Sequence, residues 1–522
     1  MLLSRNSAGR LVPESAGMRE FTPYRGLHQE PLATHRRPVP VRKASDYPSD
    51  GDKRTPSLKS ALVKAGIESG MVVSTHHHLR NGDRIALPLF TAAKGLGVRD
   101  LIWFPSAVFP CHQELIPFLE DGTIHHIQGS LNGPLGHFAS EGRMRDLAVL
   151  RSHGGRARSL AEGDIHVDIA VIAAPACDFF GNMTGTRGPS ACGGLGFAVA
   201  DSEFAQHVIA VTDHLVDFPC VPWQIAGNLV DQVVVVESIG DPTQILSGTT
   251  LPSRSPEGRR IAELAAEFVR STGILRDGWS FQAGAGGISL LFTLFVREIM
   301  ERNSIRAAFA RGGSSAHLVT MLESGLIGAI LDGQTFDLEG VRSLRENDHH
   351  VMTTPFNSYT PHTKGNFASI LDCAVLGATE VDLEFNANVV THSDGRLLHG
   401  IGGWQDALCS RCTILAIPTM RNRMPMIRDR VTTLCGPGEL VDVIVTERGV
   451  AVNPRREDLI QLAEASGFPL TTLEELKHQA DRLAGGPPSD LALDDLAIGV
   501  VTWNDGTLLD TVWRPSHLGK HR

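Results

Sequence analysis

A chain of 522 residues, 42% hydrophobic and 20% charged, carries apolar material for more than one core and is ordinary for a globular enzyme. A net charge of −10 leaves no basic field to hold nucleic acid, which excludes that partner class. No apolar run approaches the ~20 residues that span a bilayer, so no membrane partner is expected.

The eight cysteines, at 111, 177, 192, 220, 373, 409, 412 and 435, are scattered singly without a disulfide spacing. A reducing cytoplasm fits them. Cys409-Ser-Arg-Cys412 is a lone CxxC with no second pair to close a tetrahedral site, so no metal is expected there.

Residues 1–57 hold prolines, serines and scattered charge without periodicity, which predicts a flexible N-terminal extension. Globular pattern begins with a helix from Leu58 to Gly66. From Met71 the pattern is α/β: a strand at Met71–Thr75, a helix at Ile85–Ala93 and a strand at Leu101–Val108. Further strands are expected at Thr123–Gln128, Leu147–Leu150, Val167–Ala173, His207–Thr212 and Val230–Glu237. Several are continuous apolar runs, the mark of strands buried on both faces.

Ser253-Arg-Ser-Pro-Glu-Gly258 interrupts the pattern. A second unit then has strands near 306–310, 369–375, 385–390, 412–417 and 440–446, and helices at Glu457–Ala465 and Leu473–Leu483. The expected architecture is therefore two open α/β domains, 58–252 and 253–522. Asn504-Asp-Gly506 lies between apolar runs and predicts a C-terminal β-hairpin on the second domain, as an antiparallel edge.

Chemistry concentrates in loops. Phe281-Gln-Ala-Gly-Ala-Gly-Gly-Ile-Ser289 reads as strand, glycine turn and helix start, a cradle for a negative oxygen. It makes Gln282, Gly284, Gly286 and Gly287 candidate catalytic residues. His76-His-His-Leu-Arg-Asn-Gly-Asp83 follows the first strand, where open α/β sheets bind ligands. Adjacent side chains in an extended segment point opposite ways, so the three histidines are not expected to share a metal. His77 and Arg80 are taken as catalytic candidates, with His76, His78 and Asn81 binding substrate. His153-Gly-Gly-Arg-Ala-Arg158 reads as another strand-end loop whose Arg156 and Arg158 can fork onto a carboxylate or phosphate. The glycines at 193–196 lack the dinucleotide spacing, and no GxSxG, HExxH or Walker loop occurs.

Together, His76–Asp83, Asp168–Pro175 with Gly181-Asn182, Ser190–Gly193, Ser238–Pro242 with Ser247–Thr250, Phe281–Leu290, Gly377–Asp382, Phe385–Val390 with Ser393-Asp-Gly395, and Thr446–Ala451 resemble the citrate lyase alpha subunit. The likeness runs from about 58 to 513. It implies two open domains of the CoA-transferase type and a citrate:acetyl-carrier-protein transferase activity. The implied partners are a beta subunit that cleaves the citryl thioester and an acyl carrier protein (gamma subunit), within an oligomer. The cofactor chemistry it implies is the carrier's CoA-derived thiol arm, for which acetyl-CoA can substitute, with nothing bound tightly to this chain.

Related CoA transferases pair a Gln-x-Gly-x-Gly loop with a glutamate one strand later. Here that strand ends in Arg311-Gly312-Gly313, so the resemblance implies direct acyl exchange, with Arg311, Gly312 and Gly313 as substrate contacts. Two positions depart from the family pattern: Arg311 stands where serine is usual, and Trp404 where histidine is usual. The alternatives are a CoA transferase or thioesterase for another short acid, or a non-catalytic scaffold for the carrier protein.

Overall fold

The computed structural model describes residues 2–16, 19–27, 43–246, 251–360 and 363–518. The Ser247–Thr250 phrase and part of the N-terminal stretch lie outside the described residues.

The buried apolar runs form two parallel sheets. The first has six strands in the order 232–235, 207–212, 169–174, 72–75, 101–105, 124–127. The second has eight, in the order 350–352, 330–335, 309–314, 280–283, 373–376, 413–416, 443–446, 449–452, antiparallel only at its last pair. Strands such as Ile169–Ala174 and Thr413–Ala416 are buried along their whole length, as continuous Val/Ile/Leu/Ala runs require when helices cover both faces. The chain is thus a mixed α/β fold built on parallel sheets. One core beneath the first sheet continues through Ala374, Leu415 and Ile444 of the second, so the two halves share apolar packing.

Four expectations are corrected. The N-terminal stretch is structured wherever it is described. Leu3–Arg5 pairs with Leu11–Pro13, Asn6 Nδ2 donates to the carbonyls of Leu508 and Leu509, and Arg10 lies 3.4 Å from Asp510. Lys53 is 1% exposed, its ammonium donating to Gly227 O and Val230 O under the Phe180 ring. Its polar composition hides these roles because the segment adds an edge to an existing core and needs no core of its own.

The C-terminal hairpin forms, with strands Leu493–Thr502 and Leu508–Pro515. It does not extend the second sheet. Its first strand runs parallel to Ala148–Leu150, with Thr502 Oγ1 donating to Leu150 O, so the hairpin is tied to the first half of the chain. The expected strand 385–390 shrinks to Ala387–Asn388 in a small separate sheet with 380–382 and 427–428.

Residues 153–158 are not a loop. His153–Ala161 is a helix capped by Ser152, whose hydroxyl accepts from Gly155 N. Two adjacent glycines lower helix propensity by about 1 kcal/mol each, which tertiary packing overrides here. The missed strands Ile330–Thr335 and Gly449–Val452 carry Asp332, Gly333 and Gly449, residues depleted in strands.

Candidate active site

The second sheet supplies one side of the region where the candidate residues meet. Gln282 and Arg311 face each other in register on neighbouring parallel strands. Arg311, Gly312 and Gly313 thus belong to the strand Phe309–Ser314 and do not follow it. Arg311 is 1% exposed, donates from Nη1 to Gln282 Oε1 at 2.6 Å and from Nη2 to Ser358 Oγ at 2.9 Å, and lies 4.3 Å from the Tyr359 ring. Its Nε has no partner among the described residues. Burial lowers its pKa, yet a guanidinium stays charged at neutral pH. Gly312 takes φ +106° at a bulge, and a Cβ on Gly313 would lie 2.0 Å from the Phe336 ring.

The glycine turn leads into the helix Gly287–Asn303. Its first turn leaves N–H groups without intrahelical acceptors. Gly284 N is already spent on Val375 O at 2.8 Å, so that amide holds the turn to the sheet. Gly286 has φ −74° and open space where a Cβ would stand, whereas a Cβ on Gly287 would meet Leu251 O at 2.8 Å.

The first half supplies the facing side. The histidines alternate as an extended segment requires. His76 and His78 stack on one side at 5.7 Å, and His76 Nε2 lies 2.9 Å from Asp201. His77 turns the other way, against Ser106 Oγ at 2.5 Å, the Phe197 ring at 4.9 Å and the His153 ring at 5.4 Å. Burial pushes His77 well below the ordinary imidazole range and takes His78 and His153 to about 3, so these rings are neutral near pH 7. Arg80, at φ +52°, lies 5.1 Å from both Phe109 and Phe336, and burial lowers it to about 10. Asn81 accepts from Cys111 N at 3.0 Å.

The two sides meet through a few contacts. Gln334 Nε2 donates to His77 O at 3.4 Å, His153 lies 6.1 Å from the Tyr359 ring, and Arg80 reaches Phe336. Asp406 ties them below: Ser152 Oγ donates to Oδ1 at 2.8 Å and Gly154 N to Oδ2 at 3.1 Å. Burial raises the Asp406 carboxyl to about 7.

His76, His77, His78, Arg80, Arg311, Gly312, Gly313 and Gln282 are therefore gathered around one region. Arg156 and Arg158 are not available to it. Arg156 makes two bonds to Asp201, at 2.7 and 2.8 Å, and one to Phe104 O. Arg158, 1% exposed, is bonded to Glu162 and Asp164. A helix, not a loop, carries them, and it turns both forks inward. Tyr359, Asp406, Gln334 and Phe336 were not visible as candidates, since each is isolated in sequence. His153 lies in the 153–158 stretch, where the arginines carry the stronger sequence signal. Trp404 donates from Nε1 to Gly377 O at 2.7 Å and packs over Gly436, a packing role.

A family model for the citrate lyase alpha subunit matches residues 51–514. A citrate lyase alpha chain from Klebsiella pneumoniae is 38% identical over 458 residues, covering 87% of this chain and 90% of that one. The chain belongs to the citrate lyase alpha-subunit family. A second member of the family, the citrate lyase alpha chain of Haemophilus influenzae, is 36% identical over 91% of this chain and 95% of its own length. A Streptococcus mutans protein assigned as the alpha subunit of citrate lyase, solved in complex with citrate, superposes with a TM-score of 0.90 at 37% identity. That match covers 98% of this chain and 99% of the other. A Pseudomonas malonate decarboxylase hetero-tetramer in complex with malonate matches at TM-score 0.60 and 17% identity over 84% of each chain, which shows a common fold. Among the described residues no helix is long and apolar enough to cross a membrane.

Proposed function

We propose that this member of the citrate lyase alpha-subunit family acts as the citrate CoA-transferase component, exchanging acetyl for citryl on a thioester by direct acyl transfer. The observation that carries the mechanism is Arg311. Where a carboxylate would be needed for a covalent enzyme thioester, the strand beside Gln282 offers a buried guanidinium with a free Nε. Nearby carboxylates are engaged: Asp332 by Ser314, Gln334 N and Thr335, Asp406 by Ser152 and Gly154.

In this reading the two parallel sheets are two CoA-transferase-type units divided near 253–258, and the reactants lie between them. A citrate carboxylate oxygen attacks the acetyl thioester carbonyl, the C–S bond breaks and thiolate leaves, giving an acetyl–citryl anhydride. The thiolate then attacks the citryl carbonyl, the anhydride C–O bond breaks and acetate departs, with no net proton transfer. The chain supplies position, cations and hydrogen-bond donors. Arg311 and Arg80 hold carboxylates, the neutral His77 ring and the first-turn amides after Gly286 steady the developing oxyanion, and Gln282 orients Arg311. The thiol is the CoA-derived arm of an acyl carrier protein, and a beta subunit takes the citryl product, in a cytoplasmic oligomer.

An exchange assay with citrate, acetyl-CoA and labelled acetate tests the reaction, and other short acids offered in parallel test its substrate. Trapping with borohydride or hydroxylamine followed by peptide mass analysis tests the mechanism. Direct exchange leaves every carboxylate unmodified, and a glutamate labelled at a catalytically competent rate would overturn it.

A further inference from the structure

At the edge of the first sheet two arginines converge on one neutral oxygen. Arg19 Nη1 and Arg151 Nη1 both donate to Gln128 Oε1, at 3.0 and 3.1 Å. Among the described residues neither guanidinium forms an ion pair. Asp146 and Asp164 act on Arg19 only through space, and Asp164 is bonded by Arg158. Burial and then the charge of Arg19 press Arg151 down to about 9. Two cations sharing a single amide oxygen in a half-buried setting repel each other unless an anion joins them.

The surroundings fix the polarity of this cluster. Gln128 Nε2 lies 3.0 Å from His126 Nε2, and His126 Nδ1 lies 3.0 Å from His125 Nδ1. Reversing the amide would turn its NH2 against both guanidiniums, so the carboxamide donates to His126 Nε2. His126 is then a neutral ring with its proton on Nδ1, bonded to His125, and burial takes it to about 4. His125, His126 and Asp146 lie close enough to share a metal ion. The hydrogen-bond chain occupies the converging nitrogens, however, and both arginines act on His126 with repulsive charge toward any cation. The cluster is built for an anion.

Its position relates it to the candidate active site. Gln128 and Phe104 lie at the C-terminal ends of parallel strands, where open α/β sheets take ligands, and Arg151 stands 5.8 Å from the Phe104 ring. Arg151 precedes His153 by two residues, a span of at most roughly 7 Å, and His153 stacks on His77. We propose that Arg19 and Arg151, drawn together by the Gln128 carboxamide oxygen, form a subsite for a phosphate group, carried on the thiol arm of the acyl donor whose thioester reacts at the candidate site. The arm assignment rests on the transferase reading above. Arginine forks match phosphate oxygens bidentately, and among the described residues each guanidinium here has spent one nitrogen only. Arg19 precedes the segment 51–514 that matches the family model, so the subsite would join the N-terminal stretch to the shared fold.

The test compares acetyl-CoA with acetyl-pantetheine, which lacks phosphate, as donors to citrate in the full chain and in Arg19→Gln and Arg151→Gln. The KM for acetyl-CoA should rise about tenfold in each variant, with kcat and the KM for acetyl-pantetheine unchanged. Equal effects on both donors overturn the proposal, and so does no effect on either together with unchanged phosphate binding. Calorimetry with inorganic phosphate separates the sources: binding to the full chain should be lost in both variants. Phosphate binding lost without a change in the acetyl-CoA KM would overturn the arm assignment and leave a site for the free ion. If the full chain turns over neither donor, the transferase reading fails instead. Phosphate binding then decides the subsite alone, retained if both variants lose it and overturned if the full chain binds none.

Discussion

Ser152 and Asp406 are joined by a 2.8 Å hydrogen bond across 254 residues of chain, and through it the capped helix of the first half is fastened to the second. Burial raises Asp406 from 3.8 to about 7, so the folded state holds its proton where the unfolded chain has lost it. The neutral form favours folding below about pH 4 to 7, and that contribution disappears as pH rises through the folded value. In Asp406→Asn the amide oxygen still accepts from Gly154 N, the NH2 donates to Ser152 Oγ in place of the present bond, and there is no proton to lose. Its melting temperature relative to the natural chain should therefore climb between about pH 5 and about pH 8. A difference that stays flat across that range would mean Asp406 titrates normally.

Arg156 and Asp201 behave as a structural pair. Although burial pushes Asp201 upward, Arg156 and His76 hold its carboxyl well below the usual range. Arg156→Ala leaves a buried carboxylate short of its main partner, which costs about 3–5 kcal/mol in comparable pairs. Denaturant unfolding should show that loss, and adding Asp201→Asn should recover part of it. Citrate KM in whatever fraction remains folded should stay near the natural value; a large KM rise with intact stability would return Arg156 to the substrate.

The glycine turn separates fold from ligand. A Cβ on Gly286 meets nothing, while one on Gly287 presses on the backbone at Leu251 and Ser253. Gly286→Ala should therefore melt within a degree or two of the natural chain, and Gly287→Ala should lose about 1–3 kcal/mol. A loss of exchange in the stable Gly286→Ala protein would identify steric conflict with a reactant. Full activity there would remove the turn's mouth from the site.

Much of this architecture is legible in the residues, because buried parallel strands announce themselves as unbroken apolar runs. His207–Thr212 and Glu457–Ala465 coincide with the observed elements to the residue. The candidate site is legible where chemistry and a strand end coincide, as at His76–Asp83. It is not legible where a side chain's destination depends on tertiary neighbours. Arg156 and Arg311 are both arginines beside glycines, and only packing sends one to Asp201 and leaves the other beside Gln282. The hairpin around Asp505-Gly506 shows the same limit: its turn is local, but its partner strand at Ala148–Leu150 is chosen by the fold.

The N-terminal stretch should contribute measurably to stability. Asn6 donates to two consecutive carbonyls, at Leu508 and Leu509, and accepts from Ala8 N and Arg10 N. Asn6→Ala strips partners from buried backbone groups, each costing about 1–3 kcal/mol. Hydrogen exchange should quicken at the amides of residues 508–512, with the second sheet unaffected. Unchanged protection there would mean that the contact is not populated in solution.

Arg311 offers the sharpest separation of stability from function. Its guanidinium is buried, bonded to two neutral side chains and, among the described residues, without a carboxylate in ion-pair contact. Asp406, whose charge favours it, has itself been pushed to about 7 and is partly protonated near neutrality. A cation desolvated in this way is unfavourable until an anion arrives, and replacing such a charge with an apolar group of similar size is often neutral or stabilising. Arg311→Met should then melt at or above the temperature of the natural chain while losing citrate exchange. Arg311→Lys keeps the charge but gives up the fork that spans Gln282 and Ser358, and kcat/KM for citrate should fall about 10- to 100-fold. Direct titration with citrate should show weaker binding in the same order, Lys before Met. If Arg311→Met unfolds several kcal/mol more easily and its folded fraction binds citrate normally, Arg311 is a packing residue and the carboxylate is held elsewhere.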